Sequence, residues 1–351
     1  MQSTMQDVPL TVAAILRYAS TVHGDRTVTT ATGDGYRHAT YREVGRQAAR
    51  LANALRRLGV EGDDRVATFM WNNQEHLEAY VAVPSMGAVL HTLNIRLFPE
   101  QIEFVAYEAE DRVVIADLSL APILAPVLPK METVHTVVAV GAGDLEPFQR
   151  SGKNVVRYHD ITAAESDQFD WPAIDEKSAA AMCYTSGTTG HPKGVVYGHR
   201  STYLHSTAVC SGNGMGLSFS DKAFPIVPMF HANAWGLPYA ALMAGADILL
   251  PDRHMDAKTL VHMIETQRPT VAGAVPTIWN DVMNYLEREP GHDISSLRLV
   301  ACGGSAVPMS LMKTFEERHG VQIRQLWGMT ETSPTATLAW PPPGTPTARS
   351  W

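Results

Sequence analysis

The sequence predicts an α/β protein made of two stacked, mostly parallel-sheet subdomains, and three observations predict it. Short β-branched runs alternate with amphipathic helical segments along most of the chain, the pattern of parallel strands joined by crossover helices. At 351 residues the chain is longer than a single hydrophobic core usually grows. The segments richest in glycine, hydroxyls and isolated charges also follow strand-like runs, where doubly wound sheets bind their ligands. A polar, turn-rich stretch over 141–177 places the expected boundary between subdomains 1–175 and 176–351.

In chain order, 9–22 reads as an amphipathic helix opened by Pro9, and 25–31 as a strand from its threonine and valine content. Thr40 and Glu43 make a capping-box signature for a helix that runs through Leu51 and Leu55 to Gly59. Strands are expected over 65–70, 88–93, 112–116 and 135–140, with helices over 73–86, 99–110 and 119–130 between them. The second half repeats the pattern. Apolar runs over 179–183, 224–229, 248–250, 270–274, 297–302 and 321–325 read as strands, with helices ending at Gly245, over 256–267 and 277–288, and starting at Pro308.

Hydrophobic residues at 45% and charged residues at 18% describe a globular protein, and a formal charge of −8 gives no footprint for nucleic acid. Cys183, Cys210 and Cys302 are odd in number and lack metal-ligand spacing, which favours a reducing, cytoplasmic setting over a disulfide framework or a zinc site. Neither a secretory leader nor a membrane-spanning apolar run is legible, so a soluble protein, or at most peripheral membrane contact, is expected.

The chemistry-bearing stretch is 184–194, with three glycines, four serine or threonine hydroxyls and Lys193 after a buried-type strand. Such a loop offers many N–H donors and can bend around an anion. A Walker A loop is excluded, because Lys193 follows Pro192 and is followed by Gly194 and Val195 rather than by a hydroxyl. Three further segments lie after strands. Gly303, Gly304 and Ser305 make a tight turn in which backbone could approach a flat ring. Trp327, Gly328, Met329, Thr330 and Glu331 offer an aromatic face, a hydroxyl and a carboxylate suited to Mg²⁺ beside phosphates. His231 sits in an apolar run, where it reads equally well as a core residue or as a site residue.

These motifs, with Pro228–Gly236 and Gly273–Thr277, occur in the order of the core motifs of the adenylate-forming superfamily of acyl-CoA synthetases, luciferases and peptide-synthetase adenylation domains. The chain resembles the large N-terminal domain of that fold, most of all in the medium- to long-chain fatty-acyl-CoA synthetases. The resemblance implies activation of a fatty acid by ATP and Mg²⁺ to an acyl-adenylate, then thioester formation with coenzyme A. It implies that Thr185, Ser186, Gly187, Thr188, Thr189, Gly190 and Lys193 grip phosphates, that Thr185 and Glu331 hold Mg²⁺, and that Thr330 binds the α-phosphate. Gly303, Gly304, Ser305, Gly328 and Met329 would line the nucleotide site, with Trp327 stacked on the base. His231 would stand by the acyl carboxylate, and Trp235, Val227, Gly273 and Ala274 would line an acyl tunnel that Trp235 gates.

Thr185, His231 and Glu331 are thus the expected catalytic residues, and a homodimer is a further implication. The ribose-binding aspartate, hinge and C-terminal lysine of the superfamily match no residue of this sequence. With the C-terminal domain absent, weak ATP binding and little thioester formation are expected of this chain alone. Two other readings fit the residues: a ligase for aryl or short-chain acids, and a non-catalytic nucleotide- or acyl-binding module.

Overall fold

The structure, a computed structural model, describes residues 1–185 and 191–345. Its strands are β1 (Thr27–Ala31), β2 (Tyr36–Thr40), β3 (Arg65–Phe69), β4 (Val89–Thr92), β5 (Asp111–Asp117), β6 (Thr136–Val140), β7 (Asn154–Arg157), β8 (Ala179–Thr185), β9 (Lys193–Gly198), β10 (Lys222–Pro225), β11 (Asp247–Leu250), β12 (Val271–Ala274), β13 (Leu299–Gly303), β14 (Ile323–Gly328) and β15 (Thr335–Leu338). They form an eight-stranded sheet in the order β15-β14-β13-β12-β10-β11-β1-β2 and a seven-stranded sheet in the order β7-β6-β5-β3-β4-β8-β9. Among the described residues the internal strand pairings are parallel, and the edge pairs β1–β2, β14–β15 and β8–β9 are antiparallel.

Three apolar clusters define five layers. The helices Val12–Val22, Tyr41–Arg57, Gln74–Ser85 and Leu237–Ala244 fill the space between the sheets, in a cluster that joins Ala181 and Cys183 of one sheet to Val271 and Leu299 of the other. Helices Ala257–Gln267, Pro276–Arg288 and Met309–His319 cover the outer face of the larger sheet through Leu260, Trp279 and Phe315. Ile102, Val105, Leu128 and Phe148 cover the outer face of the smaller one. Every residue of 76–85 is buried, as expected for a helix enclosed on all sides.

The sheets cut across the expected boundary at 175. The hairpin β1–β2 joins the larger sheet because β1 pairs with β11, Val28 opposite Ile248, whereas β8 and β9 complete the smaller sheet. Local predictions differ where tertiary contacts decide. Thr11, not Pro9, caps the first helix by accepting from the Ala14 N–H. Prolines 122, 126 and 129 break the expected 119–130 helix into short turns. Strand β10 stops at Pro225 rather than Met229, because Pro225 and Pro228 have no N–H for a ladder. The capping box at Thr40 and Glu43 is present as expected. Among the described residues no helix is long and apolar enough to cross a membrane.

Candidate active site

Four strand ends converge. Thr185 is the last residue of β8, His231 follows β10, Gly304 follows β13, and Met329, Thr330 and Glu331 follow β14. Together with Ala232, Trp235, Leu326, Gly328, Pro334 and Thr335 they line one cavity of about 330 Å³. Thr185 comes from the smaller sheet and the other strand ends from the larger, so the cavity lies where the carboxyl ends of the two sheets meet.

Strand β9 pairs antiparallel with β8, and Thr185 stands opposite Lys193 in that register. The two side chains therefore leave the hairpin on the same face, with Cβ atoms about 5 Å apart by the geometry of such pairs. This differs from a strand-to-helix phosphate loop. His191 stacks on Phe104 with ring centroids 4.5 Å apart, docking one arm of the hairpin on the helix Pro99–Glu108. Ser186, Gly187, Thr188, Thr189 and Gly190 lie outside the described residues.

The wall opposite is built on an unusual backbone. Ala232, Asn233, Ala234 and Trp235 have φ of 43°, 49°, 49° and 55°, and Gly236 continues at 70°. Left-handed backbone costs roughly 1–2 kcal/mol for each residue with a side chain, so surrounding contacts must hold this turn. Asn72 supplies some of them: its Nδ2 donates to the carbonyls of Pro225 (2.8 Å) and Val227 (2.9 Å), and its Oδ1 accepts from the Met229 N–H (2.7 Å). The Asn72 amide thus replaces the neighbouring strand that Pro225 and Pro228 preclude. Tyr80 adds a hydrogen bond to the Met229 carbonyl.

His231 opens into the cavity, although protein atoms surround much of the ring. Loss of hydration and then the Arg96 charge lower its pKa from the ordinary value. At neutral pH it is therefore a neutral imidazole with one N–H to donate. Trp235 is 7% exposed, and a Cβ built on Gly273 would lie 3.7 Å from both its ring and Val227. The indole thus fills the space in front of Gly273. Ala274 belongs to the opposite face of the larger sheet, in the cluster of Trp279 and Phe315, because side chains alternate along β12. It is not brought together with Trp235.

A second cavity, of about 320 Å³, is lined by His205, Val209, Met215 and Leu338 and shares Leu326 and Thr335 with the first.

The third wall hangs from the edge pair β14–β15. Thr330 is buried and its carbonyl accepts from the Tyr197 hydroxyl at 2.7 Å, whereas Met329 and Glu331 are exposed. Thr185 and Glu331 form an oxygen-only set with one carboxylate, a composition that fits Mg²⁺ beside substrate phosphates. Trp327, expected to face the base, does not line this cavity. It is 52% exposed and lines a separate depression with Met312, Gln325 and Trp340, because β14 extends through Gly328 and alternation turns Trp327 away from Leu326. Gly303 also differs from expectation. A Cβ there would sit 2.4 Å from the Leu326 carbonyl oxygen, so its bare backbone serves the β13–β14 approach rather than a ligand. Ser305 is exposed beside the cavity.

Sequence reasoning missed Asn72, Asn233, Tyr197 and the lining residues Leu326, Pro334 and Thr335. The adjacent pair Asn72–Asn73 was a usable signal: Asn73 caps the next helix, leaving Asn72 free for another role.

The chain is similar to known proteins over nearly all of its length. Over 333 residues the chain is 42% identical to a long-chain-fatty-acid–CoA ligase of Thermus thermophilus, covering 95% of this chain and 59% of that protein. It is 39% identical over 342 residues to the 3-methylmercaptopropionyl-CoA ligase of Ruegeria pomeroyi, covering 97% and 63%. The crystal structure of the anthranilate CoA ligase AuaEII with anthranoyl-AMP superposes with a TM-score of 0.84 at 25% identity, over 93% of this chain and 62% of that one. The chain thus spans about three fifths of the length of these proteins. The family model for AMP-binding enzymes matches residues 16–350, and with that match the chain belongs to the AMP-binding enzyme family.

Proposed function

We propose that the chain forms the nucleotide- and acid-binding part of an AMP-forming fatty-acid–CoA ligase. The observation that supports this most is the single cavity shared by Thr185, His231, Trp235, Gly304, Thr330 and Glu331. It offers phosphate donors on one wall, an imidazole in the middle and an apolar indole beyond.

In this reading a carboxylate oxygen of the acid attacks the α-phosphorus of ATP. A new P–O bond forms as the bond to the bridging oxygen breaks, and pyrophosphate leaves with the electron pair. The coenzyme A sulfur then attacks the acyl carbon, its thiol proton passes to solvent, and AMP departs. Bound Mg²⁺ supplies charge neutralisation at the phosphates, with Thr185 and Glu331 as its protein ligands. Lys193, at the hairpin neck opposite Thr185, offsets the charge of the departing phosphates. Thr330 donates to the α-phosphate. Neutral His231 donates its N–H to the acyl carboxylate, orienting it for in-line attack without trapping it as a tight ion pair.

The second cavity, joined through Leu326 and Thr335, receives the alkyl chain, where each buried CH₂ contributes about 0.8 kcal/mol. A short-chain acid is the competing substrate, favoured by Trp235 filling the space before Gly273 and Val227. The names of the two relatives, one for a methylthio-propionyl group and one for long chains, bracket the same range.

Calorimetric titration of the chain with Mg·ATP and with non-hydrolysable acyl-sulfamoyl-adenosines tests both. Saturable binding of the mimics, rising from butanoyl to dodecanoyl, supports the fatty-acid reading, and a maximum at butanoyl supports the short-chain one. The absence of saturable binding by any mimic would remove the ligase reading altogether.

A further inference from the structure

Asn233 touches neither cavity, yet it is placed where the two sheets meet. Its side chain is 3% exposed. The Oδ1 atom accepts from the Cys183 thiol at 3.1 Å and from the Thr92 hydroxyl at 3.3 Å, and Thr92 and Cys183 themselves lie 3.4 Å apart. The backbone amides of Asn233 and Ala232 in turn bear on the Cys183 sulfur. Thr92 is the last residue of β4, and Cys183 lies two positions before Thr185 on β8. The middle of the left-handed turn is therefore tied, through three buried side chains, to the strand that delivers Thr185.

The sequence suits the geometry. Asparagine tolerates left-handed backbone better than most residues, and here its side chain also provides the acceptor. On one side of it Ala232 and His231, and on the other Trp235, line the cavity, so a shift of Asn233 moves both. No other side chain of the turn can make such a bond, because Ala232, Ala234 and Gly236 carry no polar group and Trp235 faces the cavity.

We propose that Asn233 is a positioning residue which, held by Thr92 and Cys183, fixes His231 and Trp235 relative to Thr185 and so sets the selectivity for the acyl group. The proposal rests on the acyl-adenylating reading of the cavity. It assigns the chain-length preference to a residue that never contacts the substrate, and it makes the strand leading to the phosphate hairpin part of the acyl-selecting apparatus.

The test compares four forms of the full chain: the unaltered protein, Asn233→Gly, Asn233→Asp and Thr92→Val. Asn233→Gly permits the left-handed backbone but removes the acceptor. Asn233→Asp keeps an acceptor oxygen, and Thr92→Val removes one donor from the sheet side without touching the turn. Each is titrated with Mg·ATP and with butanoyl-, octanoyl- and dodecanoyl-sulfamoyl-adenosine.

The expected result is that Asn233→Gly keeps Mg·ATP affinity within about twofold, while the ranking of the three mimics flattens and the preferred one weakens about tenfold or more. Thr92→Val shifts the ranking in the same direction by a smaller factor, and Asn233→Asp restores it. General destabilisation would weaken Mg·ATP and all mimics together, and that outcome overturns the proposal. An unchanged ranking in both Asn233→Gly and Thr92→Val overturns it as well, while leaving the ligase reading intact. If Asn233→Gly does not fold, the ranking in Thr92→Val decides alone. Failure of the unaltered chain to bind any mimic removes the ligase reading, and the proposal falls with it.

Discussion

Two walls of the same cavity are held in opposite ways. The wall over 225–236 is buried and left-handed in part, and it hangs from polar side chains of the other sheet's unit, Asn72, Tyr80, Thr92 and Cys183. The wall over 327–331 stands at a sheet edge, with Trp327 and Met329 about half exposed. The Tyr197 hydroxyl bond to the Thr330 carbonyl ties it inward across the sheets. A buried polar anchor is expensive to leave half-satisfied, whereas an exposed edge is cheap to alter. The first wall should therefore report on folding when mutated, and the second on ligand binding.

The strongest way to break that contrast is Asn72→Ala. It leaves the Pro225 and Val227 carbonyls and the Met229 N–H without their partner in a buried place. Each unsatisfied group costs about 1–3 kcal/mol, so a total loss of roughly 3–5 kcal/mol is expected after relaxation. Urea denaturation measures it. A loss below about 1 kcal/mol would show that the first wall does not depend on its anchor.

Next in size is Gly328→Ala, which tests whether the edge wall has a rigid part after all. A Cβ there would lie 2.2 Å from the Pro334 carbonyl oxygen and 3.0 Å from the Thr335 Cα, both backbone atoms that cannot swing aside. Overpacking of this kind costs about 1–3 kcal/mol. Because Gly328, Pro334 and Thr335 all line the cavity, Mg·ATP affinity should fall together with stability. An affinity change without a stability change would place the strain in the ligand rather than in the edge pair.

A smaller effect concerns the scaffold behind the first wall. Glu78 lies in the same enclosed helix as Tyr80, and burial, followed by the neighbouring Glu75 charge, raises its pKa to about 8 against the opposing Tyr158 hydroxyl bond at 2.5 Å. The folded-state pKa is thus above the unfolded one. The unfolded chain releases this proton first, so stability falls as pH rises from about 4.5 and levels off above about 8. Glu78→Gln should flatten that fall. Denaturation midpoints of both proteins across this range check it. Parallel pH profiles would mean that Glu78 titrates as it does in the unfolded chain.

How much of this was legible in the sequence follows the same division between local and distant causes. The capping box at Thr40 and Glu43 is a four-residue event and reads directly. Thr185, His231, Gly304, Thr330 and Glu331 stood out because each follows a strand-like run, and the structure brings them to one cavity. The strand read over 25–31 gave no sign that it pairs in the larger sheet, because its partner, Ile248 opposite Val28, lies 220 residues away. The orientation of Trp327 was not legible because the three residues by which β14 runs past 325 are set by pairing with β15, and the alternation continues through them. The left-handed turn was invisible, since Ala-Asn-Ala-Trp carries no glycine signal until Gly236 and its support comes from Thr92 and Cys183, far away in the chain.

The smallest stability effect should come from Glu331→Gln, and it bears most directly on the contrast. Glu331 is exposed, and among the described residues no hydrogen bond or ion pair to it is seen, so the change in unfolding free energy should stay within about 0.5 kcal/mol. Yet in the proposed function its carboxylate and the Thr185 hydroxyl are the oxygen donors for Mg²⁺, and glutamine keeps the shape while removing the charge. ATP titrations with and without Mg²⁺ separate the two contributions. The gain in ATP affinity that Mg²⁺ confers on the unaltered chain should shrink about tenfold in Glu331→Gln, with the metal-free affinity unchanged. An undiminished gain would move the metal away from Glu331. A large loss of stability would mean that the edge wall, like the buried one, is a structural element first, and the contrast between the two walls would not hold.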